Sequence, residues 1–457
     1  MKPVIRPAST LLMGSTYLAS QYFPIPFADL LICLFALVVL VSYFPYLNRT
    51  GKILISTLTA GALLMDFSRE GLQQFFFGLD TNSNILAIFI FVPLLAIPIQ
   101  QGQYLKYIEI IFSFYIKRTH QLYLFTITAM ASIGSVMNLG TIPILYQLTD
   151  TRTFQPFDTV RIKALTRGYV LSFMWSPYFI SIGLVISYFD VSWMQLFPIG
   201  IILVILSVVV GYLIEGKHTA EIADDFEKPD RAALKAANRK VLELVLIISA
   251  VTAVIMVIES LTELSVLAII PVIAIAASAI WTSLISTKQQ FTSHIRSFFT
   301  GKLPSMGNEL SVFIIAGAFG TALLANGADR GIMYLLETFN ITHVLMLIPL
   351  ILVLMTIPAI IGVHPIVSAA ILSITLSQSP AFLEDHLYLA VGFLASWMVA
   401  ILVSPFSGLN LIMAAITRKS PFEIALKMNL GFSLLLWMIC YAATGMLYFF
   451  GNFTGIN

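Results

Sequence analysis

Apolar residues in this chain fall into blocks long enough to cross a bilayer, separated by short polar segments, and several blocks are broken in the middle. A span needs about 20 apolar residues. On that measure residues 26–44, 51–67 and 84–100 predict three spans, followed by an amphipathic helix over 104–117. Residues 120–149 are apolar on both sides of GSVMNLG, 162–188 are interrupted at Ser176-Pro177, and 193–214 form an unbroken span. The plan then repeats. Spans are predicted at 241–260, 264–285 and 308–327, an amphipathic piece at 330–341, an interrupted block at 343–378, a broken block at 387–417 and a last span at 425–450. Ahead of them all, residues 1–25 carry Lys2 and Arg6 before a short mixed apolar stretch, which fits either an interfacial helix or a short extra span.

The interruptions correspond between the two halves. Ile133-Gly134 and Ile361-Gly362 lie 228 residues apart, as do Ser176-Pro177 and Ser404-Pro405. The one long charged segment, 215–240, separates the halves, giving a first repeat over 26–214 and a second over 241–457. Its Lys217, Lys228, Arg231, Lys235, Arg239 and Lys240 place it in the cytoplasm. If 120–149 and 343–378 are hairpins that return to their own side, the other basic groups follow. Lys106, Lys117, Arg118, Arg152, Arg161, Lys163, Lys288, Arg296, Lys302, Arg418, Lys419 and Lys427 then all fall inside as well. One hairpin enters from each side, so the expected fold is an all-α polytopic membrane protein of two inverted repeats of about five spans. Each repeat carries a re-entrant hairpin and a broken helix. Lys2 and Arg6 fit this only if residues 8–24 cross as an eleventh span.

Composition agrees. The chain is 58% hydrophobic and 11% charged, with mean hydropathy +0.92, against about 25% charged residues in a soluble domain. A net charge of +2 without a basic patch argues against a nucleic-acid partner and leaves membrane lipid as the surrounding medium, in the inner, cytoplasmic membrane of a cell. Cys33 and Cys440 lie in apolar runs, where they read as packing residues.

Irregular backbone at membrane depth must be re-paired by protein, water or solute, so it normally lines a cavity. Each break sets a capping residue at or near a proline: Ser176-Pro177, Ser404-Pro405, His364-Pro365 and, more loosely, Thr141-Ile142-Pro143. Four helix N-termini would then face one cavity and favour an anion without a buried Lys or Arg. The preceding half-helices would turn their carbonyl ends, around Gly134 to Gly140 and Ala359 to Gly362, toward a coupling cation such as Na+, the one bound ion expected. Each motif has a plainer alternative. Ser-Pro also serves as a kink, Asn138 and Asn410 as buried amides that pin packing, and His364 as a satisfied cap rather than a proton carrier or substrate donor. Asp66, Glu243, Glu259 and Glu309 all lie near span ends, which argues against a carboxylate proton relay. No close Cys/His cluster suggests a metal site.

With these breaks, and with SPFSGLNLIMAAITRKSPFEIALKMNLGF at 404–432, the chain resembles the ion transporter superfamily, which includes divalent anion/sodium symporters, arsenite and citrate transporters and tripartite carrier large subunits. The resemblance implies an elevator-type secondary transporter and a homodimer, with accessory subunits if it is tripartite-like. It maps hairpin tips onto 134–141 and 361–368 and broken helices onto 175–178 and 403–410. Substrate contacts would then come from Ser135, Asn138, Thr141, Ser176, His364, Ser368, Ser404, Ser407 and Asn410, and coupling-ion contacts from Gly134, Gly140, Ala359 and Gly362. The expected activity is transport of a small, organic anion coupled to Na+ or H+, not enzymatic catalysis. Two rivals stand beside it: an exporter or lipid-intermediate carrier of the same fold, and an intramembrane enzyme or scaffold, for which His364 with Ser404 or Ser407 is the nominable pair.

Overall fold

The computed structural model describes residues 4–150, 154–216, 220–222 and 230–454; Lys2, Arg152, Lys217 and Lys228 lie outside the described residues. The described chain is all-α, and nine of its helical segments are long and apolar enough to cross a membrane.

α1 (Ile5–Tyr22) and α2 (Ala28–Tyr43) pack along one another, reversing at Phe27, where φ is 59°. One end of α1 is anchored by the Arg6 guanidinium 3.8 Å over the Tyr46 ring, the other by the Tyr22 hydroxyl donating to the Ala268 carbonyl at 3.1 Å. Residues 5–22 thus form a helix about as long as α2. α3 (Arg49–Met65) begins at Asn48, whose side-chain oxygen accepts the Gly51 N–H. α4 (Arg69–Phe77), α5 (Ser83–Phe91) and α6 (Ala96–Gln101) join through 3-10 turns into one rod, Arg69–Gln101. This differs from the expected span at 84–100. Ser68 caps the helix by accepting the Gly71 N–H, so it starts at Arg69. The polar residues that hid it, Glu70, Gln73 and Gln74, line a cleft of about 440 Å³ that reaches Thr81 and Thr321.

α7 (Tyr104–Tyr115) lies against α13, and α8 (Thr119–Met137) and α9 (Thr141–Leu148) form the first hairpin. α10 (Asp158–Leu171) and α11 (Ile180–Phe189) are the halves of the first broken helix, and α12 (Trp193–Gly216) follows. α13 (Arg231–Leu261) starts well before the expected 241, because Asp230 accepts the Ala233 N–H and caps it. Part of the supposed linker is therefore helix. Another part pairs with the entry to the first hairpin, through Ile222 N–H to the Lys117 carbonyl and Thr119 N–H to the Ala220 carbonyl.

The second half runs through α14 (Val266–Ile285), α15 (Lys288–Ser297), the short turn α16 (Leu303–Ser305) and α17 (Gly307–Ala325). Then come amphipathic α18 (Ala328–Thr338), the hairpin α19 (Val344–Ile360) and α20 (Pro365–Ser377), the broken helix α21 (His386–Val403) and α22 (Gly408–Thr417), and α23 (Leu430–Thr454). The order of elements from α17 onward repeats that from the rod to α12. At the centre is α21, buried at every residue from Tyr388 to Val403. Peripheral α13 instead exposes Val245, Leu246, Val254 and Val257, an apolar face suited to lipid.

α8 and α10 approach closely because Gly168 has no side chain. A Cβ there would sit 2.6 Å from the Ile127 carbonyl oxygen and 2.8 Å from Met130 Cβ. Gly168→Ala is therefore expected to cost about 1–3 kcal/mol despite its better helix propensity. The check is thermal unfolding of the solubilised protein; an unchanged midpoint would refute the tight contact.

Candidate functional site

The two breaks are built alike. At each, a serine opens a turn with proline second: the Phe179 N–H donates to the Ser176 carbonyl and the Ser407 N–H to the Ser404 carbonyl, both at 3.2 Å. Serine first and proline second suit a β-turn. The serine hydroxyl accepts the N–H two residues on, Tyr178 or Phe406, at 3.3 Å. The same hydroxyl donates across to a hairpin: Ser176 to the Ser135 carbonyl at 2.9 Å, Ser404 to the Ala359 carbonyl at 2.6 Å. The prolines do not open helices as expected, since α11 begins at Ile180 and α22 at Gly408. The true cap of α22 is Ser407, which accepts the Asn410 N–H at 3.2 Å; Phe179, before α11, supplies no side-chain cap.

Each hairpin tip contains a residue at positive φ. Asn138 holds φ 56° and ψ −147°, a region that otherwise belongs to glycine, and Gly362 holds φ 103°. The Asn138 side-chain oxygen accepts the Leu139 N–H at 2.8 Å and the Tyr169 hydroxyl at 2.6 Å. Gly362 ends α19 in a Schellman arrangement, with Val363 N–H to the Pro358 carbonyl and Gly362 N–H to the Ala359 carbonyl. The His364 Nδ1 accepts the Ile366 N–H at 3.2 Å, so the ring caps α20.

Both tips meet the second break. A Cβ on Gly408 would lie 3.2 Å from the Leu139 side chain, and one on Gly362 would lie 3.6 Å from the Phe406 ring. α9 packs on α22, and α20 on α11. Two side chains in this region are fully buried with an unused polar atom, Thr141 Oγ1 and Asn410 Oδ1. The Asn410 amide nitrogen donates to the Leu402 and Ser404 carbonyls at 2.9 Å, tying together the ends of α21 and α22.

The carbonyl ends proposed for a cation are largely engaged. Gly134 accepts the Asn138 N–H, and Ala359 accepts both a backbone N–H and the Ser404 hydroxyl. Gly140 stands in open space, with nothing within 4 Å of where a Cβ would be. Ser135 turns its own hydroxyl back to the Ser132 carbonyl, and Ser368 is half-buried on α20, one turn beyond His364.

The sequence argument missed two buried arginines on α10. Arg161, 1% exposed, bonds Thr149 Oγ1, the Tyr146 carbonyl, Asp150 and Asp158, stapling the end of α9 to the start of α10. Arg167, 3% exposed, meets Glu215 at 2.9 Å, Asn429 Oδ1 at 3.1 Å and the Met428 carbonyl at 3.0 Å, beneath the Phe432 ring. Both are fully partnered. Their signal was the spacing Arg161, Lys163, Arg167 within a helix that starts at Asp158, which carries Arg167 more than two turns inward.

No family model matches the chain, and no curated protein matches it. Among solved structures, the YdaH transporter of Alcanivorax borkumensis, reported for its unusual topology, is similar in fold, with a TM-score of 0.59. The match has 15% identity and covers 90% of this chain and 98% of that one. The chain is thus a multi-pass membrane protein with the fold of a transporter.

Replacing Ser176 or Ser404 by alanine removes a turn cap and a hydroxyl–carbonyl bond together. Each is expected to cost about 1–3 kcal/mol, and the double variant more than either alone. Thermal unfolding of the three variants measures this. An unaffected Ser404→Ala protein would show that the hairpin is held by something else.

Proposed function

We propose that this protein is a secondary active transporter of elevator type that moves a small, organic anion coupled to Na+ or H+. The observation that carries the reading is the meeting of α9 and α22, two helix N-termini that bring an unused hydroxyl, Thr141, and an unused amide oxygen, Asn410, to one buried region. The positive ends of the two helix dipoles there favour negative charge without a basic side chain. The hydroxyl adds a donor and the amide oxygen an acceptor for a polar group on the same solute.

The repeated order of elements supports the motion. If α1 is counted as a crossing helix, the chain alternates from end to end, and Arg6, Arg49, Lys52, Lys288, Arg296 and Lys302 fall on one side with the basic linker. The Tyr43 hydroxyl, 3.4 Å from the Leu303 carbonyl, brings the end of α2 beside the start of α17, as that arrangement requires. The first hairpin then opens to the cytoplasm and the second to the opposite side, each beside its own broken helix. Carriage of that unit past the outer helices exposes the solute to either side in turn.

The test is thermal stabilisation of the purified protein by a panel of small anions, each with Na+, with K+ and at two pH values. A ligand at 100 times its Kd adds about 2.7 kcal/mol. One class of carboxylate or oxyanion is expected to stabilise the wild type, and Thr141→Val and Asn410→Ala to abolish the effect. No response to any anion would overturn the reading and turn attention to a lipid-like cargo.

A further inference from the structure

The continuous rod from Arg69 to Gln101 carries a carboxylate, Asp80, in the turn between α4 and α5, inside the membrane-crossing segment. Asp80 begins a run of five polar residues, Asp-Thr-Asn-Ser-Asn, and three of them are paired. Thr81 meets the Thr321 hydroxyl at 3.0 Å. Asn82 donates to the Phe313 carbonyl at 2.9 Å and accepts the Tyr188 hydroxyl at 2.8 Å. Asn84 donates to Ser187 at 2.8 Å. The other two, Asp80 through a buried Oδ1 and Ser83 through a buried Oγ in a residue 2% exposed, find no partner outside their own pair. They sit three residues apart, hence on one face, with the Ser83 hydroxyl within hydrogen-bonding reach of the carboxyl.

Buried polar groups are nearly always paired, so a buried carboxylate oxygen with only the neighbouring serine beside it, in a row otherwise satisfied, requires an explanation. The surroundings narrow it. Titratable groups near Asp80 are Tyr17 from α1 and Cys33 and Asp29 from α2, while α4 carries Arg69 and Glu70 in its first turn, with Glu70 on the cleft. α5 contributes none, and α17 has only Glu309, at its opposite end. The charge whose field reaches the carboxyl is Asp29, of the same sign. A carboxylate with a buried oxygen, a like charge nearby and no basic partner is costly, and one proton removes the cost. Two oxygens are few for a metal ion but sufficient for a proton, which forms an O–H that the serine oxygen accepts. Asp80 is only half-buried, which gives water access to it, and the cleft lined by Glu70, Gln73, Gln74, Gly78 and Thr81 lies beside the turn.

We propose that Asp80, with Ser83, is a reversible proton-binding site within the membrane, separate from the hairpins and breaks. The step is balanced: one proton from water adds to one carboxylate oxygen and gives the neutral acid, and its release restores the anion. That this proton also drives the solute rests on the transport reading above.

The experiment is pH-dependent infrared difference spectroscopy on the full-length protein in lipid nanodiscs without solute, for the wild type, Asp80→Asn and Ser83→Ala. The asparagine keeps the shape of the protonated acid, and an unchanged melting temperature verifies its fold. The expected result is a protonated-carboxyl band in the wild type that titrates with pH, is lost in Asp80→Asn, and shifts in Ser83→Ala. A titrating band that survives in Asp80→Asn, or no such band in the wild type, would overturn the proposal. A titration midpoint that moves with added Na+ would overturn it in favour of a metal-cation site. Because no solute is present, a lost band leaves the transport reading intact, and a normal band with no solute uptake in vesicles would sink that reading alone.

Discussion

Hydrocarbon offers no hydrogen bonds, so each backbone group freed by a break must find a partner within the protein. That constraint explains the geometry of Ser176 and Ser404 better than any functional argument. Each serine accepts from the turn that it opens and donates to a carbonyl of the neighbouring hairpin, so one hydroxyl settles two debts at once. At the hairpin tips these serines, with the Schellman turn at Gly362 and the strained Asn138, absorb the groups that the turns expose. What remains unused, at Thr141 and Asn410, is then conspicuous.

The two halves share this device but differ in how firmly they hold it. In the first, Arg161 and Arg167 bind the hairpin and broken helix through charge-assisted bonds to Asp150, Asp158, Glu215 and Asn429. The equivalent stretch of the second half, His386–Val403, contains no arginine or lysine and is held by apolar packing and neutral hydrogen bonds, among them Asn410 to the Leu402 carbonyl and Trp437 to Ser396, with Ser404 bonding the Ala359 carbonyl just beyond it. Charge-assisted bonds are roughly twice as strong as neutral ones. The first hairpin is therefore the stiffer of the two, and the Gly362–His364 tip the looser.

Much of this was legible in the sequence. The offset of 228 residues between Ser176-Pro177 and Ser404-Pro405 marked two breaks whose first two residues and turn hydrogen bonds correspond. The polar residues of the tips and breaks were identified, but their partners were not, because a hydroxyl donating to a carbonyl 41 or 45 residues away leaves no periodic trace. The rod Arg69–Gln101 was misread for a different reason. Glu70, Gln73 and Gln74 lower the local hydropathy while facing a cleft, so a rule that equates polarity with a loop placed Asp80 outside the membrane. Arg167 escaped for a related reason, since a buried cation can be recognised only once Glu215 and Asn429 are known to surround it.

The knot around Arg167 also bears on how the chain is made. Glu215 and Tyr123 belong to the first half, but Asn429 and the Met428 carbonyl come 262 and 261 residues later. At about 5–20 residues per second, that interval lasts some tens of seconds. Throughout it the newly inserted first half holds a half-satisfied arginine among its helices, and only arrival of the last span completes the shell. Biogenesis therefore has a distinct closing event at the opposite terminus, and the first half is not a finished unit on leaving the ribosome.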